Sequence, residues 1–477
     1  MQKRTGRWAN WGFPGMPEVV VVGAGPAGMA AAVAASRRGA RVALVDGASR
    51  LGGQYFRQPL AEPTSDGDHP APPAGLRLPT RFRQLAANPA IELRLGCEVW
   101  SVSKDSSGFT LRLTDGAPAV LHSPALVLAT GASELTLPFP GWALPGVATA
   151  GAAQALLKSQ HVPIGRRVVV AGTGPFLLPV ATALAEAGSR VLVVEAARAR
   201  SAPRALPTLL RYPHKLREAA GYGLVLARHR VPVLTGWGVV RCEGEGRVER
   251  VILARLGPNW ERLPEPGRTI PVDAVCVSYG FVPRLELASQ LGAPAFSHPD
   301  QLAVGVVTDA TMGTSVRGLF VAGELAGVAG AEVAECEGEL AGHSAASYLG
   351  LVDNRGPAEI QRLLRRLRHS RAFTARLLAL YPLRDGWSSG LEPSTVFCRC
   401  EQVPWEAVEA AIARGATTAR EVRGVTRCGM GYCQGRTCGP ALQMAISSLA
   451  GRSLTEVGDL HNRPVAVPVP LGRVAGS

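Results

Sequence analysis

Between residues 18 and 46 the chain reads as an apolar strand, a glycine turn, a helix of small residues and a second strand that ends on an acid. The turn is Gly23-Ala24-Gly25-Pro26-Ala27-Gly28. Residues 18–22 form a nearly continuous apolar run, as a parallel strand covered on both faces must. Residues 29–36 follow as a helix, and 41–45 lead into Asp46. The three glycines permit, in turn, the tight turn, the close backbone approach to a pyrophosphate, and the close seat of helix on strand. The helix N-terminus then faces the phosphates, and Asp46 accepts from ribose hydroxyls. A merely structural glycine turn is the competing reading, and the complete strand–turn–helix–strand–acid context speaks against it. The same stretch imitates an export signal, because Lys3, Arg4 and Arg7 precede the uncharged residues 19–36. The glycines and Pro26 interrupt it where a nucleotide fold needs them, so a buried strand and helix are expected instead.

The pattern restarts further on. Residues 166–171 read as a strand, Gly172-Thr173-Gly174-Pro175-Phe176-Leu177 as the turn, 178–187 as a helix and 190–194 as a strand closed by Glu195. Short alternating segments at 91–123 and 231–256 read as two β-meanders. Strands at 125–129, 274–278 and 319–322 complete the pattern, the first leading to Thr130-Gly131 and the last to Gly323-Glu324. The first nucleotide domain is therefore discontinuous, at 18–155 and 281–352, with the second inserted at 156–280. An Arg-rich helical linker is expected at 353–395, a cysteine module at 396–445 and a tail at 446–477. Residues 1–17 read as a loose basic tail, and 67–79, rich in Pro and Gly, as a surface loop. A chain of 477 residues with 47% hydrophobic content is long enough for about three such domains.

In the second turn Leu177 stands where a third glycine belongs, and its bulk should push the helix off the strand. NAD, another adenine nucleotide such as ATP, and a vestigial structural domain remain open for that site. Gly172, Gly174, Pro175 and Glu195 are its candidate residues, and Glu195 disfavours a 2′-phosphate, so NADP is the least expected ligand.

Five of the nine cysteines fall in the last fifth of the chain, as Cys398-Arg399-Cys400 and Cys428-Gly-Met-Gly-Tyr-Cys433-Gln-Gly-Arg-Thr-Cys438. Thiolates at these spacings can converge on one soft centre, and four of them suit either zinc or a [2Fe–2S] cluster. The C-x-C and C-x4-C pairs give Cys398, Cys400, Cys433 and Cys438, with Cys428 as the alternative ligand. Such thiols need a reducing compartment or early metal capture, which points to the cytoplasm.

The two ends of the chain carry separate resemblances. Gly23–Gly28 with Gly52-Gly53-Gln54, Thr130-Gly131 and Gly323-Glu324 resembles the three-part FAD signature of the disulfide-reductase type of flavoprotein. This implies an α/β fold with two Rossmann-like dinucleotide-binding domains, the second binding NAD(P)H in many reductases of that type. It also implies FAD contacts at Gly23, Gly25, Pro26, Ala27, Gly28, Asp46, Gly52, Gly53, Gln54, Val99, Thr130, Gly131, Gly323, Glu324, Gly330 and Ala331. Glu324 stands where that family usually has Asp. Gly330-Ala331 would open a helix whose positive end stabilises a reduced flavin. The sequence Thr426-Arg-Cys428-Gly-Met-Gly-Tyr-Cys433-Gln-Gly-Arg-Thr-Cys438-Gly resembles the small helical domain of the bacterioferritin-associated ferredoxin (BFD) type, which implies [2Fe–2S] rather than zinc.

Over about residues 18–445 the whole order, with Gly52-Gly-Gln-Tyr55 and Tyr279-Gly-Phe-Val-Pro283, resembles the FAD-binding α subunits of heteromeric amino-acid and opine dehydrogenases. That group includes opine oxidases, D-hydroxyproline dehydrogenase, dye-linked proline dehydrogenase and hydrogen cyanide synthase. The resemblance implies an electron-transfer subunit that serves a D-amino-acid-oxidase-like FAD β subunit. Open additions are a further flavin at the subunit interface, a small ferredoxin-like subunit, and membrane association through partners. The stand-alone alternative is an NADH-dependent flavin and iron–sulfur reductase. No G-x-S-x-G or H-E-x-x-H motif is present and the histidines are dispersed, so no catalytic base is assigned. Net charge is +14, with much of the arginine between 355 and 436. Without a nucleic-acid-binding motif, this excess reads as a solvated face or a docking surface for an acidic partner.

Overall fold

The computed structural model describes residues 16–59, 78–115, 119–198, 212–297, 304–351, 356–458, 460 and 465–475. Nearly all of the expected basic tail, and the loop expected at 67–79 up to residue 77, lie outside these.

Val19–Val22, four valines with almost no exposure, sits in the middle of the first sheet. The strand order is Leu319–Val321, Ala125–Leu128, Val19–Val22, Val42–Asp46 and Ile91–Leu95, all parallel. Helix α1 (Pro26–Arg37) leaves the turn directly, with Gly25 as its N-cap and Pro26 at its first position, where a missing N–H costs nothing. The stretch that imitates an export signal is thus a core strand and a helix. Among the described residues no helix is long and apolar enough to cross a membrane.

The second sheet repeats the plan with Val233–Thr235, Arg190–Glu195, Arg167–Gly172, Ala274–Ser278 and Val147–Thr149, again all parallel. The domain boundary expected at residue 155 falls after Val147–Thr149, which pairs with Val275–Val277 in this sheet. A three-residue strand is too short for its apolar pattern to announce which sheet it joins. Helix α2 (Ala150–Gln160) follows that strand, capped by the Thr149 side chain. Helix α3 (Leu177–Glu186) begins three residues after Gly174, whereas α1 begins one residue after Gly25. Its entry is loose: the Leu177 and Leu178 amides reach Gly174 and Pro175 carbonyls at 3.3 Å, three residues back. In α1 the Met29 amide reaches Gly25 at 3.0 Å with the α-helical spacing of four. The bulk of Leu177, now fully buried, is accommodated by this later and slacker start. Helix α4 (Pro213–Arg228) precedes the edge strand Val233–Thr235 of this sheet. Two three-stranded antiparallel sheets form, from residues 99–123 and from Trp237–Glu243, Arg250–Arg255 and Arg268–Pro271, while Ile91–Leu95 and Val233–Thr235, expected in the meanders, join the parallel sheets instead.

Helix α5 (Ala331–Tyr348) returns to the first domain and lies directly on α1. A Cβ built on Gly338 would stand 2.0 Å from the Ala27 carbonyl oxygen, and one on Gly342 2.2 Å from that of Ala31. The two backbones touch because Gly338 and Gly342 face Ala27 and Ala31. Helix α6 (Gly356–Leu378) is the long helix of the linker. Its Arg371 pairs at 2.8 Å with the buried Glu337 of α5, whose second oxygen accepts from the Gly323 amide at 2.9 Å. Thr374 donates to the Ala329 carbonyl at 3.0 Å. These contacts fasten the linker across the carboxyl edge of the first sheet.

The cysteine module packs helices α7 (Trp405–Ala413), α8 (Ala419–Thr426) and α9 (Gly439–Ala450) against a short strand pair, Val396–Cys398 with Val403–Pro404. Helix α8 starts with a full capping box between Thr418 and Glu421. The module touches both nucleotide domains and the segment that connects them. Trp142 donates to the Val396 carbonyl at 2.5 Å and Thr136 to that of Thr437 at 3.1 Å. Arg436 pairs with Glu286 at 2.8 Å with both side chains largely covered.

Candidate functional site

At the carboxyl edge of the first sheet, Gly23 holds φ at +107°, and a Cβ there would meet the Ala129 carbonyl oxygen at 2.2 Å. The turn can therefore close only on glycine. Gly28 seats α1 on the strand, since its Cβ would stand 1.7 Å from the Gly23 oxygen. Gly25 differs: its φ is an ordinary −76°, and its Cβ would meet nothing nearer than the Gly53 Cα at 4.0 Å. It borders a groove that the protein itself leaves unfilled, and no side chain caps the helix end that opens there. Asp46 accepts from the Ala24 amide at 2.5 Å and the Ala48 amide at 2.7 Å, which fixes its carboxylate beside the groove.

The groove opens into a cavity of about 1060 Å³. Gly23, Gly25, Pro26, Ala27, Asp46, Gly53, Gln54, Thr130, Gly131, Gly323, Glu324, Gly330 and Ala331 all line it. Three other residues expected at the site do not. Gly28 lies under the helix, Gly52 makes a turn in which a Cβ would stand 2.2 Å from the Phe56 oxygen, and Val99 is buried in the neighbouring core. Glu324 accepts from the Gly330 amide at 2.8 Å and so shapes the entry to α5, whose N-terminus carries no side-chain cap. Burial pushes the Glu324 carboxyl up to about 7, against the pull of that amide and with the help of Glu337. An uncapped helix end, a glycine-lined cradle and a second helix end facing the same space together suit an elongated dinucleotide.

The far wall of this cavity belongs to the second domain. Gly174 and Pro175 line it, while Gly172 and Glu195 stand behind. A Cβ on Gly172 would lie 1.8 Å from the Ser278 oxygen. Glu195 repeats the role of Asp46, accepting from the Gly174 amide at 3.0 Å and the Ala197 amide at 2.8 Å. Burial pushes its carboxyl up to about 7 even so. Unfolded, the group titrates near its ordinary value of 4.5, so the folded chain retains a proton that the unfolded chain has released. Stability therefore falls as pH rises from 4.5 through about 7, and levels off above that. Glu195→Gln should flatten this fall by up to roughly 3 kcal/mol, read as urea midpoints at successive pH values. An unchanged pH slope would show that the carboxyl is solvated.

The roof is α6, which presents His369, Ser370, Phe373 and Thr374 to the cavity. Tyr212 beneath it lies tilted against His369 and Phe373, with ring centroids 4.4 and 4.6 Å away, and donates to the His369 carbonyl. Lys215 and Arg366 approach Glu332 at 3.7 and 3.9 Å at the rim. None of these was expected from sequence. They come from three separate segments whose polar residues look like ordinary helix surface, and only the closure of α6 onto α5 brings them together.

The five clustered cysteines form a trio and a pair. The sulfurs of Cys398, Cys428 and Cys438 lie within 4.8 Å of one another and are buried. Cys428 and Cys438 are 3.8 Å apart. Cys400, which is exposed, and Cys433 share a sulfur hydrogen bond of their own. Thiols of Cys428 and Cys438 and amides of Gly429 and Glu401 donate to Cys398, which holds it far below the ordinary thiol range, at about 2. Amides of Thr437 and Gly435 donate likewise to Cys433. Soft sulfur donors ringed by backbone amides are the chemistry of an iron–sulfur site. The glycines of the motif make room for the sulfurs: a Cβ on Gly431 would stand 2.4 Å from the Cys400 Cβ, and Gly429 and Gly435 hold φ near +81° and +84°.

Leu135 and Tyr279 line the cavity and also pack in the core that contains Cys398, Cys428 and Cys438. One apolar layer therefore joins the wall of the nucleotide cavity to the thiol cluster.

Two nucleotide folds sharing a cavity, with a thiol module behind, define a flavoprotein of the two-domain reductase class. Residues 17–346 match the pyridine nucleotide-disulphide oxidoreductase model and residues 396–448 the BFD-like [2Fe-2S] binding domain, so the chain belongs to the pyridine nucleotide-disulphide oxidoreductase family and carries an iron–sulfur module. It is an oxidoreductase, with FAD and [2Fe–2S] as its cofactors. It is 34% identical to the opine oxidase A subunit of Agrobacterium tumefaciens, over 96% of this chain and 91% of that one. It is 34% identical to hydrogen cyanide synthase subunit HcnB of Pseudomonas aeruginosa, over 95% and 97%. L-proline dehydrogenase from P. horikoshii shares the fold at a TM-score of 0.68 and 21% identity, covering 96% of this chain and 79% of that chain.

Proposed function

We propose that this chain is the electron-transfer subunit of a heteromeric dehydrogenase that oxidises the C–N bond of an amino acid or opine, of the D-hydroxyproline, proline, opine or glycine type. The observation that carries the reading is the apolar layer of Leu135 and Tyr279 between the nucleotide cavity and the thiols. Bound FAD would supply two-electron uptake with release in single steps, and [2Fe–2S] would supply one-electron carriage. The glycines at 23, 25 and 53, Asp46 and the ends of α1 and α5 would hold and orient the flavin nucleotide. Cys398, Cys400, Cys433 and Cys438 would hold the cluster. Leu135 and Tyr279 exclude water from the space between.

The proposed partner is a D-amino-acid-oxidase-like FAD subunit that performs the substrate chemistry. The names of the relatives support this, since two of them are subunits. Helix α6 turns Arg362, Arg365, Arg368 and Arg376 outward, which suits an acidic docking face. The isolated, flavin-loaded chain is expected to show no turnover with proline, hydroxyproline, opines or glycine and an artificial dye. Adding the cognate partner should restore turnover, and the apparent affinity should weaken on the order of tenfold between ~0.05 and ~0.5 M salt. Robust amino-acid oxidation by the single chain refutes the reading.

A stand-alone NADH reductase is the second reading, favoured by one observation: the Gly174 turn opens on the same cavity as the flavin motif. Against it stands the slack start of α3, which aims its first amides at Gly174 and Pro175 carbonyls and away from a phosphate. Rapid NADH oxidation by the purified chain would decide for the reductase.

A further inference from the structure

We propose that Cys428 is a built-in spare ligand, able to replace Cys438 or Cys398 on one iron of the cluster, and that the other iron has no such reserve. The proposal rests on the four-thiolate reading above. Its ground is an asymmetry in how the five thiols are distributed. Two tetrahedral thiolates on one metal, each about 2.3 Å from it, stand about 3.8 Å apart. Cys428 and Cys438 already stand 3.8 Å apart, and Cys398 completes a triangle whose sulfurs all lie within 4.8 Å. Three sulfurs thus share the space that two would occupy on one iron. The second iron is left with Cys400 and Cys433 alone, because the remaining four cysteines are buried in other cores or behind the sheets.

The position of Cys428 is fixed locally. Arg427 before it takes a left-handed φ of +67° at the C-terminus of α8, Gly429 after it takes +81°, and its amide donates to Thr426 Oγ1 at 3.1 Å. It is fully buried, so it has no role as a surface thiol. The competing view is an ordinary core cysteine that packs against α9. That view predicts no ability to ligate.

Exchange needs no oxidant. The bond from iron to the Cys438 sulfur breaks and one to the Cys428 sulfur forms. The Cys428 proton passes to the departing Cys438 thiolate, and the iron oxidation states and total charge are unchanged.

The test is iron and acid-labile sulfide per chain in anaerobically purified full-length protein, with the spectrum of the reduced cluster. Flavin absorbance of the same samples reports that the chain is folded. The unaltered protein and Cys428→Ala should each hold about two irons and two sulfides. Cys438→Ala and Cys398→Ala should keep more than half, with an altered cluster spectrum. The double variant Cys438→Ala/Cys428→Ala should lose at least about tenfold, as should Cys400→Ala and Cys433→Ala. A Cys438→Ala protein as empty as the double variant overturns the spare ligand while leaving the four-thiolate set standing. Loss of the cluster in Cys428→Ala alone makes Cys428 a primary ligand and overturns both, as does an unaltered protein without iron and sulfide. Full retention of iron in Cys433→Ala sinks the four-thiolate set itself.

Discussion

Gly25→Val is expected to give a folded protein that does not hold FAD. The residue has an ordinary backbone conformation, with φ −76° and ψ −175°, so an L side chain introduces no strain. Its added Cβ would touch only the Gly53 Cα at 4.0 Å, and the two methyl groups would project into the groove beside the uncapped end of α1. The cost to the apoprotein is the loss of a glycine N-cap, about 1 kcal/mol. The cost to binding is far larger, because the methyls occupy the space in which a pyrophosphate must meet the uncapped end of α1. A loss of at least about 4 kcal/mol, roughly a thousandfold in affinity, is expected. Flavin absorbance after desalting and a thermal melt separate the two effects. Gly23→Ala is the contrast: it strikes the Ala129 carbonyl and needs φ +107°, so it should damage folding itself. Retention of stoichiometric flavin by Gly25→Val would mean that the groove is not the pyrophosphate site.

Gly342→Leu should destabilise the chain by about 3 kcal/mol or more, the upper end of what overpacking does in a core. The side chain would have to fit where its Cβ already lies 2.2 Å from the Ala31 backbone oxygen. Shortening the facing side chain offers no relief, since the collision is with backbone, so Ala31→Gly should not rescue it. The helices must separate, and with them the end of α5 that forms one wall of the cavity and the Glu337–Arg371 pair that holds α6. Urea midpoints at a constant m-value give the stability change, and flavin content should fall alongside. A change under about 0.5 kcal/mol, the range of ordinary surface substitutions, would show that α1 and α5 are farther apart than their backbones suggest.

Much of the first domain was legible in the sequence. Val19–Val22 is apolar throughout because it is buried on both faces, Gly23 and Gly28 permit contacts no other residue can make, and Asp46 ends its strand beside the turn. These signals are local: a turn, a helix start and a strand end lie within thirty residues, and each imposes a steric demand that one residue type meets. The convergence of the cysteines was legible for a similar reason, since short spacings leave the sulfurs few places to go. The inner bonding of the second domain was less so. Leu177 announced a conflict with the helix start, and the structure resolves it through three-residue hydrogen bonds at 3.3 Å, an outcome sequence spacing does not specify.

What the sequence by itself determined is what depends on neighbours along the chain: two strand–turn–helix units, a module of five thiols and a basic helical linker. Only the tertiary structure decided where the linker lies, that Val147–Thr149 belongs to the second sheet, that Val99 stays in a core, and that Cys428 stands among the other sulfurs. It also decided that Leu135 and Tyr279 join the cavity to those sulfurs. The strand pairing of Val147–Thr149 and the contacts of Leu135 and Tyr279 join residues more than a hundred positions apart. Their energy comes from burial and fit, which reward any complementary apolar surface and leave no mark on either segment alone.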